Sequence, residues 1–381
     1  MNERPNPSSY ALINLKNQLA ETPLARRLKY VYLHCLPYWF DNRNVYPSRL
    51  EHSEGATNLV IQACRKEDFF NFGPELVTAM MWHDAGSPPG SHISDSLLEK
   101  YNGTTHEEFV RQQIADGLDT KTLTILKKYG IHIDLVLDYI EGIAPPVSGI
   151  ISGDIDADNL NNVNLFGEGL YSIHPSWRFD PDEIAMAYCI RGGKLCLYDH
   201  VKPLVRKWYQ MRRRQYEYIE TPIHMAPELM LARVIRRGFE TGELDRTFFL
   251  RTDHSAYEAL IELKNPTSRR LLQNLKDYKH YRCVLDLRIE IDQQSPPDSI
   301  TSSDLARELK IDEEQVLVHK ARSKTYRRIN TLFVNDNTGA FSEFKSPGKP
   351  HSRYQVYLAP ECQIRRSTQA TIRSVVFSTA D

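Results

Sequence analysis

The sequence predicts a mainly α-helical protein with a smaller α+β lobe at its C-terminal end, and three observations carry that expectation. Between residues 13 and 282 apolar residues recur at three- and four-residue spacing, with little of the alternation that marks strands. From about residue 286 the texture changes to a polar, turn-rich stretch, DQQSPPDSITSS, followed by alternating or β-branched runs. Finally, 381 residues are more than one compact core usually holds, so a division is expected, residues 1–285 helical and 286–381 α+β.

Taken in order, Leu76, Val77, Met80 and Met81 form one helical face, Phe109, Val110 and Ile114 a second, and Leu135, Tyr139 and Ile140 a third. Pro227 suits the first turn of a helix running towards Gly238, and Asp253 or Ser255 can cap the stretch AYEALIEL. Loops are expected at Ala85–Gly90 (AGSPPG), at Ala144–Gly153 and around Asn161–Trp177. After the turn-rich stretch come a short helix, DLAREL, and the strand-like runs QVLVHKA, NTLFV, YQVYL and TIRSVVF. NDNTGA reads as a hairpin turn in which Gly339 supplies a positive φ. The basic segment HKARSKTYRR, residues 319–328, reads as a charged β-edge.

Composition narrows the function classes. Apolar residues are 41% and charged residues 25%, with a mean hydropathy of −0.48, which excludes a membrane bundle and a wholly disordered chain. Forty-eight basic residues against 49 acidic ones give a net charge of −1, so no global field recruits nucleic acid or anionic lipid. Six cysteines without a CxxC pair, and an amino terminus lacking a secretory pattern, read as a reduced, cytoplasmic protein.

The histidines are the informative residues. Of 13, four fall between residues 52 and 106, and three of these have an acidic neighbour in sequence: Glu51-His52, His83-Asp84 and His106-Glu107. An imidazole and a carboxylate adjacent at a helix end can turn towards one cation, giving mixed nitrogen and oxygen ligation. A lone His-Asp pair is weak evidence, but its surroundings are ordered: Arg49-x-Glu51-His52-Ser53, His83-Asp84-x-Gly86, Ser91-His92-x-x-Asp95, His106-Glu107 and Asp156-Ala157-Asp158.

That order resembles the HD superfamily of metal-dependent phosphohydrolases, most closely the dNTP triphosphohydrolases. TPLARRLKYVYL with VYPSRLEHS, then RRQYEYI and DHSAYEAL, extend the resemblance across roughly residues 20 to 285. It implies a helical HD-domain core in which His52, His83, Asp84 and Asp158 hold one divalent ion, whether manganese, iron, cobalt, zinc, nickel or magnesium. It also implies that His92 and His106 line the phosphate path, oriented by Asp95 and Glu107, as general acid or as stabilisers of developing charge. Arg49, three residues before His52 and so near the same helical face, suits a phosphate clamp. In the basic segment Lys202–Arg214 and its continuation, Arg213 and Tyr216 are the candidate substrate contacts.

The sequence departs from the family where the sugar is read. Asn159, Asn161 and Asn162 replace a basic residue, an acid and a tyrosine; Leu33 replaces a glutamine, and Ser87 a histidine. The resemblance therefore implies hydrolysis of a nucleotide, with (deoxy)nucleoside triphosphate triphosphohydrolysis first. The alternatives are a phosphatase or phosphodiesterase acting on monophosphates or modified nucleotides, and a nucleotide-binding sensor with a degenerate site. A homo-oligomer is implied, with neither a membrane nor nucleic acid required.

Overall fold

The computed structural model describes residues 8–33, 47–171, 174–290, 300–322, 329–346 and 351–378. Helices α1 (Ser9–Ala20), α2 (Pro23–Arg26), α3 (Arg49–Ala63), α4 (Gly73–Trp82), α5 (His92–Asn102), α6 (His106–Ala115), α7 (Thr120–Tyr129) and α8 (Ile133–Ile140) come first. They are followed by α9 (Ala157–Tyr171), α10 (Pro181–Met186), the hairpin of β1 (Tyr188–Arg191) and β2 (Lys194–Tyr198), then α11 (Lys202–Ile219), α12 (Pro222–Glu240), α13 (Asp253–Ile261) and α14 (Pro266–Lys276). The remainder is β3 (Arg282–Glu290), α15 (Ser302–Leu309), β4 (Val316–Arg322), β5 (Asn330–Val334), β6 (Phe341–Lys345), β7 (His351–Leu358) and α16 (Arg366–Ser378). The molecule is thus mainly α with small sheets concentrated towards the C-terminal end.

Every residue of α4 is buried, Glu75 and Thr78 included, and this helix forms the axis on which α1, α3 and α8 pack. The main core joins these helices to α9, α10 and α11. A second apolar cluster lies among α5, α12, α13 and α14, and a third beneath α15 and α16 against the sheet β3-β7-β4. That sheet is antiparallel, with β4 at its edge as expected; residues 323–328 of the basic segment lie outside the described residues. No described helix is long and apolar enough to cross a membrane, and no disulfide forms among the described residues.

The second sheet runs β1-β2-β5-β6, and its β2–β5 pairing is parallel, with Leu197 opposite Phe333. It joins strands from both sides of residue 286, and Ile329 and Phe333 are fully buried in the main core. The β5–β6 turn is the expected one, with Gly339 at φ 66°.

Several expected elements differ. The stretch around Asn161–Trp177, read as a loop, is mostly α9, because Ala157, Leu160 and Val163 bury one face against α3. Pro227 lies inside α12, which starts at Pro222 behind Thr221. Thr252, in a capping box with Ser255, caps α13 and frees Asp253 for other bonds. TIRSVVF is part of helix α16: Ile372 and Val376 are buried while Ser374 between them is exposed, which a strand of period two would not allow. The β1–β2 hairpin was missed although Gly192-Gly193, at φ 58° and 72°, is a standard two-residue turn signal.

Candidate metal centre

Four side chains from three places in the chain converge. Ser48 caps α3, accepting a hydrogen bond from the Glu51 amide while Glu51 reaches back to the Ser48 amide, and this fixes the helix start that carries Arg49 and His52. His83 and Asp84 follow the last turn of α4, and Asp158 lies in the first turn of α9. His52 Nε2 is 2.8 Å from Asp158 Oδ1 and 4.0 Å from Asp84 Oδ2. His83 Nε2 is 3.6 Å from Asp84 Oδ2 and 3.7 Å from Asp158 Oδ1.

Each imidazole is oriented by its far nitrogen. His83 Nδ1 donates to the Met80 carbonyl at 2.7 Å, and His52 Nδ1 lies 2.9 Å from Asn161 Oδ1. With the ring proton committed there, each neutral ring presents an Nε2 lone pair to the carboxylates, an arrangement that needs a shared cation or an added proton. Asp84 is divided in the same way. Its Oδ1 accepts from Arg49 Nη1 at 2.5 Å and from Ser87 Oγ at 3.1 Å, whereas Oδ2 is buried with no partner. His83 Nε2 is likewise buried and unpartnered. His52, His83 and Asp84 each offer a ligand atom within 4.8 Å of the others, a mixed nitrogen and oxygen set that suits a divalent first-row metal, and Asp158 Oδ1 lies beside both imidazoles as a candidate fourth ligand.

The electrostatics agree. Burial opposes the charge on Asp84, but Arg49, His83 and His52 outweigh it and hold this carboxyl well below the usual range. For Asp158 burial is again outweighed, by the hydrogen bond from His52 and the nearby charges of His52 and His83. Burial disfavours a charged His83, yet Asp84 and Asp158 raise it to about 9. Two carboxylates held ionised beside two imidazoles make a site suited to positive charge. Asp156 differs: burial, then the charge of Asp158, raise it to about 7, and it spends its oxygens on the Gly153 amide and on the amide and side chain of Asn159 at the start of α9.

The centre opens into a cavity of about 770 Å³ whose lining includes Arg49, His92, His106, Glu107, Arg212 and Tyr216. Asp95 bridges the two outer histidines, with Oδ2 3.0 Å from His92 Nδ1 and Oδ1 3.9 Å from His106 Nδ1. Burial works against its charge, but the His92 hydrogen bond and the nearby positive groups keep it below the ordinary range. His92 Nε2 retains no protein partner among the described residues, while His106 Nε2 is 3.1 Å from Glu107 Oε1. Of the two, His92 is the better placed to pass a proton.

Part of the cavity lining belongs to α11. Arg212, buried, has its guanidinium 4.5 Å from the centre of the Tyr216 ring, and both line the cavity. Arg213 does not line it and pairs with Glu217 at 3.2 Å, so the cation expected from this segment is one residue earlier. Asn161 orients His52, Asn162 accepts from Gln215 at 2.8 Å, and Asn159 is tied to Asp156; Asn159 and Asn162 also line the cavity. Leu33 also reaches the cavity. Sequence reasoning named Ser91 in the Ser91-His92 motif but gave it no role; its hydroxyl accepts from Arg49 Nε at 3.0 Å.

No protein-family model matches the chain, and no curated protein does. Solved structures do. A hypothetical protein from Aquifex aeolicus is similar at a TM-score of 0.70 and 18% identity, over 94% of this chain and 95% of that one. A phosphohydrolase from Bacteroides thetaiotaomicron is similar at a TM-score of 0.66 and 16% identity, over 90% of this chain and 94% of that one. At these identities the comparisons establish a shared fold along nearly the whole chain.

Proposed function

We propose that the chain is a metal-dependent nucleotide phosphohydrolase that cleaves (deoxy)nucleoside triphosphates to nucleoside and inorganic triphosphate. One observation carries the reading: the ligand atoms of His52, His83 and Asp84 lie within 4.8 Å of one another with Asp158 Oδ1 beside both imidazoles, and His83 Nε2 and Asp84 Oδ2 are buried without a hydrogen bond in a cavity lined by Arg49 and Arg212. The similarity to a phosphohydrolase supports the reaction class.

His52, His83, Asp84 and Asp158 would hold the cation, which when bound supplies Lewis acidity towards water and a phosphate oxygen. Arg49 and Arg212 bring positive charge to a polyphosphate, and Tyr216 offers a ring beside Arg212 for the nucleoside. Water attacks the α-phosphorus, a new P–O bond forms, and the bond from phosphorus to the 5′ oxygen breaks. The attacking water loses one proton to solvent as the new bond forms and the second as the triphosphate ionises, while His92, held by Asp95, donates the proton of its imidazolium to the departing 5′ oxygen and regains one from solvent.

The test incubates purified protein and Mn²⁺, Fe²⁺, Co²⁺ or Mg²⁺ with a panel of NTPs, dNTPs and NMPs, resolving products by ion exchange. Triphosphate plus nucleoside is expected. Orthophosphate from monophosphates alone would replace the substrate class, and no turnover with any metal would overturn the reading. His83→Ala and Asp84→Ala are each expected to lose activity together with bound metal, measured by plasma mass spectrometry; retention of both would refute the assigned centre.

A further inference from the structure

Ser91 occupies a backbone conformation that suits glycine. Its φ is 51° and ψ −130°, it is fully buried, and as the residue before α5 it makes no side-chain cap to that helix. A serine ahead of a helix normally earns its place by capping, and here it does not. Residues held in such sparsely populated backbone regions persist where the surrounding structure needs the side chain.

The hydroxyl has two other partners. Oγ donates to the Tyr32 carbonyl at 2.6 Å, so its lone pair is what receives Arg49 Nε–H at 3.0 Å. The polarity is fixed at both ends. Arg49 is then gripped twice, at Nε by Ser91 and at Nη1 by Asp84, leaving Nη2 without a protein partner among the described residues on a side chain that lines the cavity.

The segment carrying Ser91 is itself anchored from a distance. Asp253, at the start of α13, accepts from the Gly90 amide through Oδ1 and from the Tyr32 amide through Oδ2, both at 2.9 Å. One carboxylate therefore holds the residue before Ser91 and the residue whose carbonyl Ser91 grips. Arg27 completes the frame, donating through Nη2 to the Ala85 and Ser87 carbonyls at 2.7 Å each and through Nη1 to the Arg251 carbonyl at 3.1 Å.

We infer that Ser91 is a positioning residue, held by Asp253, whose hydroxyl fixes the Arg49 guanidinium so that its free arm meets an oxygen of a polyphosphate bound beside the metal ligands. The inference rests on the function proposed above and adds to it the residue through which Arg49 is pre-set. Glycine at position 91 would relax the backbone and release the arginine, so compared with Ser91→Ala, which keeps the positive φ, it should not lower stability and yet should not restore phosphate affinity.

The test is a double-mutant cycle on the full-length protein with Ser91→Gly, Ser91→Ala, Arg49→Ala and Arg49→Ala/Ser91→Gly. The readouts are thermal midpoint, Mn²⁺ affinity by electron paramagnetic resonance, and binding of inorganic tripolyphosphate to the Mn²⁺-loaded protein by calorimetry. Ser91→Gly is expected to melt no lower than Ser91→Ala and to keep Mn²⁺ affinity, while tripolyphosphate binding weakens on the order of tenfold. Against an Arg49→Ala background the same change should cost little further, because the serine acts through the arginine. Additive losses, unchanged tripolyphosphate binding in Ser91→Gly, or loss of Mn²⁺ along with it would overturn the inference. Because tripolyphosphate binding is read without turnover, a protein that hydrolyses no nucleotide would sink the proposed function while leaving this cycle legible.

Discussion

At the residue scale the centre depends on how each ligand's second atom is used. His83 is set by a backbone carbonyl, which mutation of a side chain cannot remove, whereas His52 is set by the Asn161 amide. Asn161 does not itself belong to the ligand set, so Asn161→Ala should leave the fold intact and weaken metal affinity about 10- to 100-fold, the usual cost of removing an orienting partner. Titration of metal into the apo-protein checks this, and unchanged affinity would show that His52 needs no such support. The four candidate ligands could be singled out in the sequence because they sit in an ordered series of motifs that resembles a known family, and the fold brings them together. The roles of Asn161 and Ser91 could not be, since a polar side chain gives no local sign of the distant atom it will hold. Arg213 illustrates the same limit: its segment was identified, but only the turn of α11 against the cavity decides that Arg212 is the residue on the wall.

Helices bring these residues together, and the approach of α6 to the turn after α4 shows how closely. A Cβ built on Gly86 would stand 1.9 Å from the His106 carbonyl oxygen, a backbone atom with no room to retreat. Glycine there lets the segment carrying His83 and Asp84 touch the start of the helix carrying His106 and Glu107. Gly86→Ala should therefore destabilise the protein by roughly 1–3 kcal/mol or more, the range for overpacking a core, and lower activity further by separating the two walls. Denaturant unfolding measures the first effect, and a variant as stable as the parent would contradict this packing. Helices α4, α6 and α8 were readable because their apolar residues face one core at helical spacing. For α9, Asp and Asn at local positions argued for a loop, and burial against α3 overrode them. In α16 β-branched residues argued for a strand, and packing on α15 decided otherwise.

For the whole molecule the question is whether the C-terminal region is an appendage. Residue 286 falls inside β3 (Arg282–Glu290), β5 enters the sheet begun by β1 and β2, and Ile329 and Phe333 lie in the same core as α3 and α4. A chain ending at residue 285 would bare the open edge of β2 and leave the space of two large side chains empty in the main core. It would also lose β7, whose Gln355 donates to the Glu220 carbonyl at 3.2 Å, just past the last turn of α11, the helix that carries Arg212 and Tyr216. Each buried large side chain removed from a core costs about 2–5 kcal/mol, and total stabilities are about 5–15 kcal/mol. Loss of Ile329 and Phe333 alone thus approaches the whole margin. Residues 1–285 expressed alone should be insoluble or unfolded by circular dichroism, and co-expression with residues 286–381 should recover soluble complex. A soluble, cooperatively melting 1–285 fragment that binds metal would instead establish the helical region as an independent unit, with the strands at 329–346 as a covering it can do without.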